Sequence, residues 1–475
     1  MSSPRLRKLA LLTTGALVGG ALTVSIQAFA DKNNGILPLN ELRTFAEVFG
    51  RIKQDYVEPV EDKKLINEAI KGMLSGLDPH SDYYDPEAFK EFREGTQGEF
   101  GGLGIEIGTE DGLVKVVAPI EDTPAQKAGI KSGDLIVKID DTPVRGLSIN
   151  DAVKKMRGAP GSKVTLTIAR KTESKPLVFT LTRAVIKTKS VKSRLLEPGF
   201  GYVRVAQFQE HTVENFAQAL TQLYKDNKTP LKGMVLDLRD DPGGVLHGAV
   251  GVSAAFLPQD ALVVYTEGRA SDSKMRLYAN PRDYQRTKGT SDYAKVPPAI
   301  KNVPLVVLVN AGSASASEIV AGALQDHKRA LIVGTQTFGK GSVQSVLPLA
   351  NNGGIKMTTA RYFTPNGRSI QAKGIVPDIV VEEGNEALAS LRVREADLER
   401  HLQNPNDPAE SAKPVAKPAA KPASNGDKPK NGDSNGNGNG NGNGNGNGDA
   451  ANDVQLNQAL NILKVQQIML KKTPS

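Results

Sequence analysis

A chain of 475 residues exceeds what one hydrophobic core organises and predicts roughly two to four folded units. Its 47 Gly, 28 Pro and lack of Trp put part of the length outside packed structure, while the absence of Cys excludes thiol catalysis, disulfides and Cys-ligated zinc. The net charge of +8 is carried mainly by the two ends, in Arg5, Arg7 and Lys8 and in the lysines beyond residue 410, so the middle is near neutral and nucleic acid is excluded as a partner.

In chain order, the basic start runs into an apolar stretch from Leu9 to Ile26 and ends in Ala28-Phe29-Ala30, the three-part pattern of a secretory signal over residues 1–30. An uncleaved inner-membrane anchor is the alternative, because the stretch approaches the length of a span. Residues 39–94 form a helical N-terminal region: Leu42, Phe45, Phe49, Ile52 and Tyr56 recur every three to four residues, and Leu65, Ala69, Ile70, Met73 and Leu74 repeat the pattern after Pro59. Residues 95–183 change to short alternating strands with two helices. The second helix is signed by Ser148 and Asp151 as a capping box and by Ile149, Ala152, Val153 and Met156 on one face. Val164, Leu166 and Ile168 alternate as a closing strand.

Residues 184–385 alternate strand runs (202–205, 234–238, 305–309, 330–333) with helices near 213–224 and 318–325, which predicts an α/β layer with a largely parallel sheet. Residues 386–404 carry charges at helical spacing and read as a helical extension. Residues 405–452, with Lys-Pro-Ala repeats and an Asn-Gly tract, read as a disordered linker. Residues 453–471 close the chain as an amphipathic helix striped by Leu456, Leu460, Leu463, Gln467 and Leu470, a face that docks on its own protein or on a partner.

The chemistry-bearing residues admit several readings. His80, His211, His247, His327 and His401 stand singly without ligand spacing, which argues against a metal site; His247 and His327 remain candidates for a Ser-His-Asp triad. Gly334 to Lys340 imitates a phosphate loop, but Gly341 stands where a Mg²⁺-binding hydroxyl is needed and a strand, not a helix, follows. That leaves a lysine on a glycine-flanked turn, a usable base if buried. Asn310 to Glu318 is a small-residue strand-to-helix turn with three serines, where a nucleophile could meet backbone donors; Ser315 with Glu318 is also the spacing of a simple helix cap. Asp241-Pro242-Gly243-Gly244 reads either as an ordinary turn or as a second set of backbone donors open to close approach.

Together these segments resemble the carboxyl-terminal processing peptidases, serine proteases with a Ser-Lys pair. The similarity runs through Gly76-Leu-Asp-Pro-His-Ser81, Leu236-Asp-Leu-Arg239, Ser313-Ala-Ser-Ala-Ser-Glu318, Thr337-Phe-Gly-Lys-Gly341, Thr359-Ala-Arg-Tyr-Phe-Thr-Pro365 and Gly374-Ile-Val-Pro-Asp378. The resemblance implies a multidomain α/β chain: a PDZ domain, β-rich with two helices, inserted in an α/β serine protease core between helical N- and C-terminal regions. It implies Ser315 as nucleophile, Lys340 as general base, Gln344 orienting the lysine, and an oxyanion hole from Ala316 with Gly243 or Gly244. Asp241 departs from the Asn usual in the family. Gly102, Leu103, Gly104 and Ile105 would hold a substrate's terminal carboxylate, and Arg170 would link the PDZ domain to the active site. The expected enzyme is a periplasmic endopeptidase that needs no metal or other cofactor, takes protein C-termini as substrates, self-associates through its helical ends and accepts an activating adaptor. The alternative is a non-catalytic PDZ scaffold, in which the Ser and Lys loops are caps and turns.

Overall fold

The computed structural model describes residues 38–110, 112–286, 291–382, 392–407 and 453–472; the expected secretory signal and nearly all of the linker lie outside them. The chain divides into two compact units, Met1–Gly72 and Met73–Ser475. In the first, helix α1 (Leu39–Asp55) follows the predicted period and leaves Leu42, Phe45, Val48 and Ile52 exposed. Helix α2 (Asp62–Ser75) begins after the break at Pro59 and runs into the second unit.

The second unit opens with β1 (Asp82–Tyr84) and α3 (Pro86–Gln97), and then a β-rich domain is inserted. Its strands are β2 (Glu99–Gly102), β3 (Ile105–Glu110), β4 (Leu113–Pro119), β5 (Leu135–Ile139), β6 (Thr142–Pro143), β7 (Lys163–Ala169), β8 (Leu177–Thr182) and β9 (Ala184–Lys187). Between them lie α4 (Pro124–Lys127) and α5 (Ile149–Met156). Ser148 caps α5 as its spacing predicts, accepting from Asp151 N at 3.1 Å. The sheet order β3-β4-β5-β7-β8 leaves β3 at an edge, and β2 pairs with β9 where the insertion begins and ends. Strand β8 lies beyond the expected closing strand. Its inward Leu181 is buried while Val178 is exposed, so its apolar alternation is weak.

The core resumes with β10 (Val191–Glu197), β11 (Phe200–Val205), α6 (Thr212–Asn227), β12 (Gly233–Asp237) and α7 (Leu246–Phe256). It continues through β13 (Leu262–Gly268), β14 (Arg276–Tyr278), α8 (Pro281–Tyr284), β15 (Leu305–Val309), α9 (Ala316–Asp326) and β16 (Leu331–Gly334). It ends in β17 (Ser342–Pro348), β18 (Gly354–Phe363), β19 (Ile379–Val380) and α10 (Val454–Lys472). One sheet runs β10-β11-β12-β15-β16-β19, parallel except at β10. A second, antiparallel sheet joins β1, β18, β13 and β14, with β17 also on β18.

The parallel strands are largely apolar because both faces are covered, with Arg204 and Asp237 as the charged exceptions near strand ends. Val203, Leu236, Val307 and Ile332 face the cluster built with α6, α7 and α9, while Tyr202, Val235, Val306, Leu308 and Val333 face Leu456, Ala459 and Leu463 of α10. The C-terminal helix expected to serve self-association is therefore used on the chain's own sheet, whose second face has no other helix among the described residues. Of the expected helical extension, residues 386–391 lie outside the described residues, and the remainder is corrected. Among described residues 392–404 only Glu395–Asp397 makes a helical turn, of 3-10 type. The physical reason is that Arg394 and Glu395 are tied to Lys373 O, Gln371 and His80 of the core, which an irregular strap reaches and a regular helix does not.

Candidate functional site

Strand β15 ends at Val309, and the turn to α9 carries Ser313, Ser315 and Ser317. Two of these hydroxyls hold the turn together: buried Ser313 donates to Leu238 O at 2.7 Å and buried Ser317 to Asp241 O at 2.9 Å. Ser315 differs. It sits at φ 56°, ψ −110°, a backbone region that costs on the order of 1–3 kcal/mol for a residue with a side chain and recurs at functional turns. The adjoining turn reaches it closely, since a Cβ on Gly243 would lie 2.8 Å from Ser315 Cβ and 2.8 Å from Ala316 N. Only glycine allows that approach.

Glu318, 0% exposed, joins this turn to the lysine loop. Its Oε2 accepts the N–H of Ser315 at 2.8 Å and the N–H of Lys340 at 2.9 Å; its Oε1 accepts Gly339 N at 2.7 Å and Thr337 Oγ1 at 2.5 Å. The capping spacing read from the sequence is thus half of a larger arrangement, in which one carboxylate fixes both loops. Burial pushes Glu318 up to about 7 against these four donors. The signal for it lay in α9 itself, which is apolar from Ile319 to Leu324 and therefore carries its first-turn acid inside.

Lys340 stands on the loop between β16 and β17. Burial, with Lys356 nearby, lowers its ammonium to about 8, opposed by the negative charges of Glu395, Glu318 and Asp78. Among the described residues Lys340 Nζ has no hydrogen-bond partner, so no bond to Ser315 Oγ is formed here; such bonds commonly tighten only with substrate present. Buried Tyr362, which sequence reasoning missed, lies with its hydroxyl against the Ser315 side chain and donates to Lys340 O. Its position on β18, paired to β17, gives no short-range signal.

Gln344 is not bonded to Lys340. A bulge between Val343 and Gln344 turns its Nε2 to Ser342 Oγ at 3.0 Å and Thr358 Oγ1 at 3.2 Å, which leaves Oε1 free among the described residues to accept from an ammonium. The triad alternative is not built: His247 faces Glu210 and His327 meets Leu262 O.

Of the two candidate oxyanion glycines, Gly243 has its N–H taken by Asp241 Oδ1 at 2.8 Å, because the Asp-Pro-Gly turn closes on itself. The N–H groups of Gly244 and Ala316 have no partner among the described residues. Asp241 is buried with Oδ2 unpaired, and burial raises its carboxyl well above the usual range. A raised folded-state value means the unfolded chain loses this proton first, so stability falls as pH rises from about 4. Asp241→Asn is therefore expected to unfold at higher urea than the parent at pH 8, with the gap closing toward pH 4. A gap independent of pH would mean that Asp241 is ionised in the fold.

In the inserted domain, the loop from Gly102 to Ile105 leads into the open edge of β3. Leu103 O accepts Ala125 N at 3.0 Å and Gly104 O accepts Ile120 N at 2.9 Å, which turns the carbonyls inward. The N–H groups of Leu103 and Gly104 have no partner among the described residues. Free donors beside an open strand edge suit an extended peptide ending in a carboxylate. Arg170 does not reach the core. Its fork closes on Asp134, with Nε at 2.7 Å from Oδ1 and Nη2 at 2.8 Å from Oδ2, and on Gly129 O, all within the same domain. The buried Asp134 carboxylate supplies the bidentate partner a guanidinium prefers, so the expected link to the active site is absent from this arrangement.

Residues 199–381 match peptidase family S41, residues 115–170 the PDZ domain, and residues 21–88 the activating protease CtpB N-terminal domain. The chain is 47% identical over 379 residues to a protein from Bartonella bacilliformis named carboxy-terminal-processing protease, covering 80% of this chain and 83% of that one. It is 37% identical over 336 residues to the carboxy-terminal processing protease CtpB of Bacillus subtilis, covering 70% and 66%. Among solved structures, the photosystem II D1 C-terminal processing protease is similar at 32% identity and a TM-score of 0.40, covering 74% of this chain and 92% of that one.

Proposed function

The chain belongs to peptidase family S41 as a carboxy-terminal processing serine protease with a PDZ domain, and from this we propose that it cleaves peptide bonds with Ser315 as nucleophile and Lys340 as general base. The observation that carries the reading is the single oxygen of Glu318 that accepts the main-chain N–H of both residues. An amine lowered to about 8 is neutral in about a tenth of molecules at pH 7, enough for a base that regains its proton on each attack.

Neutral Lys340 takes the Ser315 hydroxyl proton as Oγ bonds to the scissile carbonyl carbon. The carbonyl oxygen becomes an anion, which the unengaged N–H groups of Ala316 and Gly244 are suited to hold. The Lys340 ammonium then protonates the leaving amine and the C-terminal fragment departs; Lys340 next draws a proton from the water that attacks the acyl-enzyme and returns it to Ser315 Oγ as the ester bond breaks. Gln344 Oε1 is available to steady the ammonium between these steps. The PDZ loop at Leu103 and Gly104 captures the substrate's terminal carboxylate, a group found only at chain ends, which supports tail selection.

Export is supported by the basic, apolar and small-residue order of residues 1–30, and the periplasm as the destination by the family resemblance. The exposed apolar stripe of α1 fits a second copy of this chain and supports a homo-oligomer built through the N-terminal helices. An activating adaptor is part of the proposal through the family resemblance; residues 21–88 match the N-terminal domain of CtpB, itself described as an activating protease.

Treatment with a fluorophosphonate tests the dyad directly. Ser315 is expected to be the one serine labelled, at a rate that rises with pH through about 8 and disappears in Lys340→Ala. Labelling of Ser313 or Ser317, or labelling indifferent to Lys340, would sink the assignment.

A further inference from the structure

The segment Gly76 to Ser81 lies outside the residues matched to the peptidase family, as does the strap 392–407, yet the two meet behind the lysine loop. Asp78 Oδ1 accepts the N–H of His80 at 2.9 Å, the N–H of Ser81 at 3.0 Å and the hydroxyl of Thr358 at 3.0 Å. Thr358 Oγ1 in turn accepts from Gln344 at 3.2 Å, so one arm of the motif ends on the residue beside the amine's expected partner. The other arm starts at His80, whose Nε2 lies 2.7 Å from Glu395 Oε2.

Glu395 is fully buried, and each of its polar groups is engaged. Its Oε1 accepts Gln371 Nε2 at 2.8 Å, and Gln371 Oε1 accepts Gly341 N at 3.0 Å. Its own N–H donates to Phe338 O at 3.1 Å. One residue of the strap therefore holds the loop two positions before Lys340 and, through Gln371, one position after it.

We infer that Glu395 is a positioning residue of the peptidase reaction: with His80 and Gln371 it grips the loop on both sides of Lys340 and keeps a buried negative charge close enough to act on its amine. The inference rests on the reading of Lys340 as general base. The charged groups acting on that amine are Lys356 from β18, Glu318 from α9, Asp78 and Glu395, with Tyr362 from β18 lying against the loop. Lys356 favours the neutral amine and the three carboxylates favour the ammonium. Removal of the Glu395 charge thus makes Lys340 give up its proton at lower pH, a sign that a purely structural role does not produce.

The test uses the full chain with Glu395→Gln, Glu395→Ala and Lys340→Ala, read by the pH profile of kcat/KM on an unstructured protein and by fluorophosphonate labelling. Glu395→Gln keeps the shape and loses the charge; its acidic limb is expected to move to lower pH by about half to one unit. Glu395→Ala also releases the loop, and its plateau kcat is expected to fall by about tenfold or more with KM little changed. If Glu395→Ala does not fold, the isosteric Gln variant decides alone. An acidic limb unmoved in Glu395→Gln, or moved upward, overturns the inference. A parent profile unchanged by Lys340→Ala overturns the base assignment, and the inference with it, which separates the two failures.

Discussion

Lys340→Met is expected to leave a folded chain that no longer cleaves peptide bonds, with kcat/KM at pH 8 lower by about 10³-fold or more. The methionine occupies much of the lysine's volume and removes a charge whose desolvation already lowers the amine to about 8, so stability should be retained. What disappears is the group proposed to accept the Ser315 proton. Lys340→Arg is expected to be as inactive although it keeps the positive charge, because a guanidinium does not give up its proton near neutral pH. In the parent the rate should climb as pH rises through about 8, since the neutral amine is the working form under the proposed mechanism. Initial rates on casein, with circular dichroism as the folding control, decide the matter. A Met variant with a tenth of parental activity would require another base.

Ending the chain before Asp453 should produce the largest loss of stability. The truncation uncovers Tyr202, Val235, Val306, Leu308 and Val333 on one face of the parallel sheet, a contiguous apolar surface that promotes association. It also removes Asp453, whose Oδ2 lies 2.7 Å from Arg239 Nη2 and whose Oδ1 lies 2.8 Å from Nη1. Gln455, which accepts from Arg239 Nη1 at 3.1 Å, goes as well, so of three side-chain partners the guanidinium keeps only Asp237. The truncated chain is expected to aggregate on purification or to melt well below the parent. Leu463→Ala, which hollows the same contact without exposing the sheet, should cost about 2–5 kcal/mol in urea unfolding. A truncated chain as stable as the parent would show that α10 is not part of the folded core.

The legible parts of the fold were those set by local periodicity. Ser148 with the Ile149, Ala152, Val153 and Met156 face gives its helix from eight consecutive residues. The apolar runs at 234–236 and 305–309 announce strands covered on both sides. The stripe on 453–471 announces a helix that must dock, but an apolar face does not name its occupant, which here is the chain's own sheet. The charged stretch misled the reading over its described part, 392–404, because Glu395 is paired with His80, 315 positions away, and that partner is invisible to a local window. The site divides in the same way. Three serines on one turn and a glycine-flanked lysine are visible in sequence as candidates, whereas the carboxylate that ties them together looks like a helix cap until Thr337, Gly339 and Lys340 arrive beside it.

The recognition domain enters through β2 and leaves through β9, which pair from Glu99 with Lys187 to Gly102 with Ala184. Its two ends are thus one strand spacing apart, about 4.8 Å. Such a domain is a cassette: the surrounding chain sees only a closed hairpin stem, whatever length or fold lies beyond it. Changes of register, loop length or ligand preference inside the cassette need not propagate into the loops that carry Ser315 and Lys340. The proposed tail preference and the peptide-bond chemistry are therefore expected to be exchangeable separately, and a graft cut at residues 102 and 184 preserves the geometry of the stem.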